Sequence, residues 1–375
     1  MHSLQKVGQD IGIMDSLGAG ESAAVKPRTL AAAGTAGNGA SRRGLKVLFV
    51  TNMYPDDRNP GSGAFVCQQA EQLRKAGHQI DILHIQSNGA RLKYLTSGID
   101  VFSRTRATSY DIVHAHYGLS GFPALFRHKT PLVVTLHGSD ALVGYVQPWI
   151  SRTVCAFADA VIVVSRGISA RIAGEVIPCG IDLDMFKPRD RAEARRRLGL
   201  PLQAKLVLFP FDPRREIKRY DLAQASVQAL GDPKTRLLSV CGKRSEDMPW
   251  YYSAADVMVL CSKSEGSPTS VKEALACDLP VVSTEVGDVR EIMGGIDGCA
   301  ICPDNAGSLA QEIKRVLDRQ PGQRFEGHRF MQRYDQSRVV ADIVRVYESV
   351  LRDRAAGHPS LARQQSPENH SAAPR

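Results

Sequence analysis

From residue 45 onward, short apolar runs alternate along the chain with stretches of helical periodicity. In the first half, runs of strand length and composition lie at residues 45–51, 79–85, 111–115, 132–136 and 161–165. A helical pattern covers residues 64–76 and ends before Gly77, a favourable residue just past a helix C-terminus. Because strands separated by helices form βαβ units, this half is predicted to fold as a parallel sheet covered on both faces.

The same alternation restarts after residue 200. Predicted strands lie at 205–211, 237–241, 257–261 and 280–284, and predicted helices at 222–230, 270–276 and 309–317. Near the end of the chain, apolar residues recur at helical spacing from Val339 to Leu351. That amphipathic pattern predicts a helix that packs on another part of the protein.

The pattern therefore predicts an α/β protein with two doubly wound, Rossmann-like domains that face each other across a cleft. The turn-rich segment 180–188 is suited to a linker between them. Both ends of the chain have low-complexity, polar composition and are expected to be disordered. We divide the chain into a tail (1–43), a first domain (44–186), a second domain (187–337), a C-terminal helix (338–354) and a second tail (355–375).

Charge and cysteine content narrow the class of protein only in part. The formal net charge of +9 favours polyanionic partners, which include nucleic acid, anionic lipid and phosphorylated substrates. Eight cysteines lie mostly in apolar runs, as expected for reduced thiols in a cytosolic protein. Since no apolar run reaches transmembrane length and residues 1–43 lack the apolar core of a secretion signal, we expect a cytoplasmic location.

The strongest candidate for chemistry is the segment 264–273, in which Glu265 and Glu273 flank a short loop that follows the predicted strand 257–261. Ser267 suits a helix N-cap and Pro268 the first helical position. The amides of the next residues would then lack intrahelical partners and attract an anion. Amide donors beside two carboxylates that accept from hydroxyls suit one ligand class, a sugar joined to a nucleotide diphosphate.

Other polar residues follow the predicted strands at their carboxyl ends, where open parallel sheets bind ligands. They are Asn52, His116, His137 and Gly138 in the first half, and residues 214–218, 242–243 and 285–288 in the second. One cleft between two sheets would collect all of them together with Glu265.

Eight segments match one enzyme family in the expected order. They are residues 77–78, 110–116, 135–140 (Thr-Leu-His-Gly-Ser-Asp), 158–165, 177–182, 252–257, 265–273 (starting Glu-Gly-Ser-Pro) and 280–287. On these segments the chain resembles the retaining glycosyltransferases of family four, which have the GT-B fold, and the similarity covers about residues 45–354. The nearest type is that of bacterial surface-polysaccharide assembly.

The resemblance implies transfer of a hexose-type sugar from a nucleotide-diphosphate sugar to a growing glycan or lipid-linked acceptor. It implies retention of anomeric configuration, no metal and no cofactor beyond the sugar nucleotide as co-substrate, and a C-terminal helix that crosses back to the first domain. The implied catalytic residues are His137, Lys218 and Glu265. The implied donor-binding residues are Gly61, Gly63, Arg214, Arg215, Lys218, Glu265, Gly266, Ser267, Thr269, Ser270 and Glu273, with Asn52 and His116 on the acceptor side.

Each implied contact has a specific partner on the donor. Glu265 would hold hydroxyls of the sugar, Glu273 the two ribose hydroxyls, and Lys218 the diphosphate. The family places its arginine five residues before that lysine, where this chain has Pro213. Arg214 and Arg215 therefore both remain candidates for the diphosphate. Segment 241–252 is also shorter than in many relatives, so the nucleotide base is not predicted.

Two alternative functions are a non-catalytic homologue that binds sugar nucleotides and a nicotinamide-dependent oxidoreductase. The glycines nearest to a dinucleotide fingerprint, Gly61 and Gly63, follow the strand ending at Thr51 too distantly for its tight first turn. Nucleic-acid binding is disfavoured, because aromatic residues make up only 6% of the chain and do not interleave with the basic residues.

Two basic clusters lie outside the matched segments. Arg191 and Arg195–Arg197 are interpreted as a solvated helix face. The second cluster is Arg91, Lys93, Arg104 and Arg106, near Leu92, Tyr94 and Leu95. For this cluster we hypothesise contact with anionic lipid, which would place the protein peripherally at the inner face of the membrane.

Overall fold

Two parallel β-sheets form the framework of the computed structural model, which describes residues 43–86, 92–138, 140, 146–319 and 325–357. The strands of the first sheet are β1 (Lys46–Thr51), β2 (Gln79–His84), β3 (Ile112–His116), β4 (Leu132–Leu136), β5 (Ala160–Val163) and β6 (Glu175–Val176), in the order β2-β1-β3-β4-β5-β6. The strands of the second sheet are β7 (Lys205–Phe209), β8 (Thr235–Ser239), β9 (Val257–Leu260), β10 (Val281–Thr284) and β11 (Ala300–Cys302), in the order β11-β10-β9-β7-β8.

Helices connect the strands within each half. Those of the first half are α1 (Ala64–Lys75), α2 (Leu92–Ala107), α3 (Gly118–Ala124), α4 (Val146–Ala156) and α5 (Arg166–Ser169). Those of the second half are α6 (Arg191–Leu198), α7 (Tyr220–Gln228), α8 (Met248–Ala254), α9 (Thr269–Ala276), α10 (Val289–Met293), α11 (Ala306–Leu317) and α12 (His328–Met331). A final helix, α13 (Gln336–Ala355), follows.

Each sheet is covered on both faces, as its sequence pattern predicts. Along β1, Leu48 and Val50 pack in a cluster with α2, α3 and α4, whereas Val47 and Phe49 pack with α1 and α13 on the opposite face. Successive strand residues point to opposite faces of a sheet, so a strand buried on both sides is apolar throughout. The prediction of two doubly wound parallel sheets is confirmed.

Helix α13 returns to the first half, as predicted. Its residues Val339 and Ile343 are each 3% exposed and pack in the cluster that contains Val47 and Phe49. The phenol of Tyr347 on this helix is 2.6 Å from Nδ1 of His114 in β3 and shares a hydrogen bond with it. The last helix of the chain is therefore part of the hydrophobic core of the first half.

The interpretation of Arg195 as part of a solvated face is wrong. This residue of α6 is only 4% exposed, and its guanidinium donates to the carbonyl oxygens of Leu202, Ala204 and Ala254. It also donates to Asp256 at 2.8 Å. Arginine can be buried here because each of its three guanidinium nitrogens reaches an acceptor that the fold supplies.

Residues 1–42 and 358–375 of the two predicted tails, and Arg91 of the second basic cluster, lie outside the described residues. All eight cysteines are described, and each is a free thiol. Among the described helices, none combines the length and the hydropathy that a membrane span requires.

Candidate functional site

The loops that follow β4 and β9 meet backbone to backbone. Gly138 has φ +117°, and a Cβ atom built on it would lie 2.6 Å from Cα of Gly266. A Cβ atom on Gly266 would lie 2.1 Å from the carbonyl oxygen of His137. Only glycine fits such an approach, so the two halves of the protein touch where the carboxyl ends of their sheets face each other.

Lys218 and Glu265 form an ion pair at this junction. Lys218 ends a short 3₁₀ turn, Glu216–Lys218, in the connection after β7, and its Nζ donates to Oε1 of Glu265. The two side chains are only 9% and 14% exposed, and the ammonium also lies 4.3 Å from the ring centre of Phe211. The structure thus brings together two residues that lie far apart in the sequence and that the sequence analysis assigns to one site.

The two candidate arginines differ in their surroundings. Arg214 is 87% exposed and donates to Asp212 at 2.8 Å, and this arginine lowers the pKa of the Asp212 carboxyl to about 2. Arg215 is also exposed, but its charge acts on Tyr117 of the first half. Burial raises the pKa of the Tyr117 phenol, and the positive charge of Arg215 opposes that rise. The effect of its charge on the first half, and the pairing of Arg214 with Asp212, favour Arg215 as the arginine that borders the cleft.

Glu273 lies on α9 with one carboxylate oxygen already occupied. The phenol of Tyr252 donates to Oε2 of Glu273 at 2.6 Å. Burial raises the pKa of Glu273 to about 7, while the hydrogen bond from Tyr252 acts in the opposite direction. Between described residues, no hydrogen bond reaches the other oxygen, Oε1, which leaves an acceptor for hydroxyl groups of a ligand.

The prediction that Ser267 caps the helix is wrong. Helix α9 begins at Thr269, and Pro268 precedes it without a side-chain cap. The Ser267 hydroxyl instead donates to Asp288 at 2.7 Å and accepts from Nζ of Lys272 at 2.8 Å. A buried ammonium and a carboxylate are stronger partners for a hydroxyl than a backbone amide, so the serine turns towards them.

Lys272 joins this loop to the connection between the halves. Its side chain is fully buried, and Nζ also donates to the carbonyl oxygen of Cys179 at 2.7 Å. Burial lowers the pKa of Lys272, and the negative charge of Asp288 opposes that shift. The network of Lys272, Ser267 and Asp288 fixes the loop that carries Glu265 and Gly266.

The start of α9 presents unpaired amides. Within the described ranges, no hydrogen bond is donated by the backbone N–H groups of Gly266, Ser267, Thr269 or Ser270. The first amides of a helix carry partial positive charge and bind anions. The predicted anion site does not depend on Ser267 as an N-cap, because the unpaired amides lie in the loop and in the first turn of α9.

Three histidines of the first half, His114, His116 and His137, form a stacked cluster. His137 Nε2 is 3.2 Å from Nδ1 of His116, and the ring of His137 lies 4.6 Å from that of Tyr117 and 4.8 Å from that of Phe65. Burial lowers the pKa of His137 to about 3, so its imidazole is neutral near pH 7. His114 is hydrogen-bonded to Thr135 and to the C-terminal helix within the core, in keeping with a structural role.

The two predicted acceptor-side residues, His116 and Asn52, are respectively buried and engaged by other side chains. His116 is fully buried, so its side chain has no exposed surface for an acceptor and supports His137 instead. Asn52 accepts from the hydroxyl of Ser120 at 3.0 Å and donates to the hydroxyl of Tyr94 at 3.3 Å. An acceptor role for Asn52 stays a prediction.

The two glycines after β1 have separate functions in the fold. Gly63 has φ +62° and lies directly before α1, against the carbonyl group of Met53. Gly61 approaches the second half, since a Cβ atom there would be 3.0 Å from the carbonyl oxygen of Lys243. Beside this contact, a cavity of about 420 Å³ opens between α1 and residues 244–246.

Two residues important for the site geometry were not singled out from the sequence. Asp140 is 4% exposed and accepts from the amides of His137 (3.1 Å), Gly138 (2.8 Å) and Gly118 (3.1 Å), which fixes the loop after β4. In Asx turns the Asp precedes the amide from which it accepts, so the position of Asp140 after these amides gave no such signal. Tyr117 has φ +73°, a strained conformation for a bulky residue, and no sequence signal indicates it.

Across the described ranges, no group of three or more His, Cys, Asp or Glu side chains is placed to hold a metal ion. Positive charge at the junction comes in part from the ammonium of Lys218, which is paired with Glu265.

Comparison with known proteins identifies the family. A family model described as Glycosyltransferase Family 4 matches residues 37–185, and one described as Glycosyl transferases group 1 matches residues 202–319. The putative teichuronic acid biosynthesis glycosyltransferase TuaC of Bacillus subtilis is 28% identical, over 72% of this chain and 89% of its own length. The D-inositol 3-phosphate glycosyltransferase of Acidothermus cellulolyticus is 30% identical, over 65% and 68%.

Solved structures agree on the architecture. Sucrose-phosphate synthase from Thermosynechococcus elongatus superposes with a TM-score of 0.70 at 20% identity, covering 83% of this chain and 100% of that one. Anabaena Alr3699/HepE, in complex with UDP and glucose, gives a TM-score of 0.63 at 19% identity, covering 81% and 100%. The chain belongs to the group 1, family 4 glycosyltransferases and has their GT-B fold.

Proposed function

We propose that this glycosyltransferase moves a hexose from a nucleotide-diphosphate sugar to its acceptor, with retention of anomeric configuration and without a metal ion. The observation that carries the proposal is the convergence of three features at one junction. They are the Lys218–Glu265 ion pair, the unpaired amides at the start of α9, and the partly free carboxylate of Glu273.

Each feature suits one part of the donor. Oε1 of Glu273 accepts from ribose hydroxyls, and the amides from Gly266 to Ser270 donate to the diphosphate or the sugar. Glu265 accepts from hydroxyls of the hexose. HepE, which has been solved with UDP and glucose and with UDP-glucose, supports a nucleoside-diphosphate hexose as the donor class.

Donor binding changes the partners of the ion pair. Without a ligand, the carboxylate of Glu265 neutralises the ammonium of Lys218. A bound diphosphate competes for that ammonium, while sugar hydroxyls satisfy the carboxylate. Both groups are already held in place and are only partly hydrated, which lowers the cost of their reorganisation during the reaction.

Charge develops on the leaving diphosphate as the glycosyl–phosphate bond breaks. Lys218 and Arg215 stabilise that charge as fixed cations. The departing phosphate accepts the proton of the acceptor hydroxyl on the same face of the sugar, which gives retention without a protein base. His137 stays neutral because its pKa is about 3, so it contributes a hydrogen bond and a packing surface but no charge.

The acceptor is proposed to be a growing surface glycan or a lipid-linked sugar. The support is the similarity to TuaC, whose name assigns it to teichuronic acid biosynthesis. Membership of the glycosyltransferase family leaves the nicotinamide oxidoreductase alternative without support.

A panel of UDP-, GDP- and ADP-hexoses tests the donor proposal by thermal shift and product analysis. One nucleotide class is expected to raise the unfolding midpoint, since a ligand at about 100 times its Kd stabilises by about 2.7 kcal/mol. Turnover in the presence of a chelator should give a product with the anomeric configuration of the donor, measured by NMR. An inverted product, loss of turnover in the chelator, or no response to any sugar nucleotide would contradict the proposal.

Donor binding is expected to strengthen as the pH rises through 7. The pKa of Glu273 is about 7 in the free protein, so the carboxylate that accepts ribose hydroxyls is mostly protonated at pH 6. If only the ionised form binds well, Kd should fall about tenfold between pH 6 and pH 8. Calorimetric titration of the sugar nucleotide against wild type and Glu273→Gln checks this. The variant should bind more weakly with no such slope, and parallel slopes in both proteins would refute the assignment.

A further inference from the structure

The exposed apolar side chains are concentrated on one layer of the first half. Among the described residues, nine large hydrophobic side chains are exposed, and only Val176 and Leu202 lie elsewhere. The other seven are Leu92, Leu95, Ile99, Phe102, Phe126, Trp149 and Phe157. They belong to α2, to α4, and to the residues just after α3 and α4. A group of this size on one layer indicates an interaction surface rather than scattered exposure.

Helix α2 is apolar on two sides. Tyr94 and Val101 are buried in the core below the helix. Leu92, Leu95, Ile99 and Phe102 recur at spacings of three and four residues on a second, outward side, and Ile99 is 67% exposed. A helix that only covers a sheet needs one apolar face, but this second stripe remains largely exposed in the described part of the chain.

Contacts join this stripe to the neighbouring elements. The ring of Phe126 packs against Gly98 of α2, where an added Cβ atom would come within 2.8 Å of it. The ring centre of Phe102 is 5.8 Å from that of His128. Arg127 donates to the carbonyl oxygen of Phe157 at 3.1 Å. We call the surface of 92–107, 125–130 and 147–157, which lie on the same side of the first sheet, the α2 face.

The charge of the α2 face has one dominant sign. Its basic residues are Lys93, Arg104, Arg106, Lys129 and Arg152, and the acidic residue within its ranges is Asp100. Arg127 adds little charge, because its side chain is 17% exposed and paired with Asp159. Apolar side chains flanked by lysine and arginine match a bilayer with anionic head groups, into which the apolar residues insert. A second copy docking symmetrically on the same face would place basic residues against basic residues, which disfavours self-association.

We propose that the α2 face binds the surface of an anionic lipid bilayer. The proposal goes beyond sugar transfer and stands on exposure and charge alone. It also places the membrane near the cleft, because Tyr94 at the start of α2 accepts a hydrogen bond from Asn52, which follows β1 at the carboxyl edge of the sheet.

Vesicle co-sedimentation of the full-length protein tests this without any sugar donor, so its result is separate from that of the transferase assay. We expect binding to vesicles with about 30% phosphatidylglycerol in phosphatidylcholine, weak binding to phosphatidylcholine alone, and release at about 0.5 M salt. The double variant Ile99→Asp/Phe102→Asp should lose at least about tenfold in affinity. The matched control Val176→Asp/Leu202→Asp changes two exposed apolar residues away from the face and should bind as wild type does.

Three outcomes would overturn the proposal. One is no binding of wild type to anionic vesicles, and another is equal loss in the two double variants. The third is a dimer of wild type, seen by light scattering, that Ile99→Asp/Phe102→Asp converts to a monomer, which would make the α2 face an interface between copies. Circular dichroism of each variant confirms that these exposed substitutions leave the fold intact.

Discussion

Replacing Lys218 with alanine is expected to lower kcat by about 10²–10³-fold, the usual effect of removing one group that stabilises developing charge. The ammonium is enclosed at the junction, with its side chain 9% exposed, and it is positioned by Glu265 and the ring of Phe211. A water molecule in its place could not supply a fixed positive charge. Because the interaction strengthens as the phosphate departs, the loss should appear in kcat more than in KM.

Arg214→Ala is the matched control for this prediction. Arg214 lies in the same connection but is 87% exposed and paired with Asp212, so its removal should leave kcat within about twofold of wild type. Arg215→Ala should lower kcat by an intermediate factor. Steady-state rates with the sugar nucleotide, measured on variants with unchanged unfolding midpoints, distinguish these outcomes. A larger effect at Arg214 than at Lys218 would reject the assignment of the cations.

Replacing Arg195 with leucine is expected to lower the free energy of unfolding by about 3–5 kcal/mol, as for other broken buried ion pairs. The guanidinium holds three carbonyl oxygens and the carboxylate of Asp256 together. Leucine would leave these acceptors buried or half-buried without donors. Asp256 would keep the amide of Leu206 and the guanidinium of Arg191 as partners, which limits the loss.

Arg196→Leu provides the comparison on the same helix. Arg196 is exposed, and substitutions at such positions change stability by less than about 0.5 kcal/mol. Urea denaturation followed by circular dichroism measures both variants. Equal stabilities of the two variants would show that the contacts of Arg195 contribute nothing to stability.

The sheets were predictable because most of their strands are buried on both faces and stand out as apolar runs. Strand β4 coincides with its run at 132–136. The two-residue edge strand β6 (Glu175–Val176) has no apolar run, and it was not predicted. Strand β8 starts at Thr235, two residues before its predicted position, because its partly exposed residues blur the pattern. Helix α8 has only seven residues, too few for periodicity to appear.

The site was predictable where function depends on local spacing. The position of Glu265 after a strand and before a helix could be inferred, and so could the unpaired amides at the start of α9. The side chains that fix this loop could not, because their partners are distant in sequence. Lys272 contacts the carbonyl group of Cys179, and Ser267 contacts Asp288. The choice between Arg214 and Arg215 likewise depends on the contact of Arg214 with Asp212. The spacing of residues in the sequence does not reveal that contact.

The return of α13 to the first half has a consequence for biosynthesis. Val47 and Phe49 are translated early and α1 soon after, but the residues of α13 that complete their cover, from Val339 to Val350, are translated only after the whole second half. One face of the earliest strands is therefore covered only by α1 while the rest of the polypeptide is made. A nascent chain that ends before Gln336 contains every strand described here. It still exposes the apolar surface that α13 covers, and chaperones recognise surfaces of this kind.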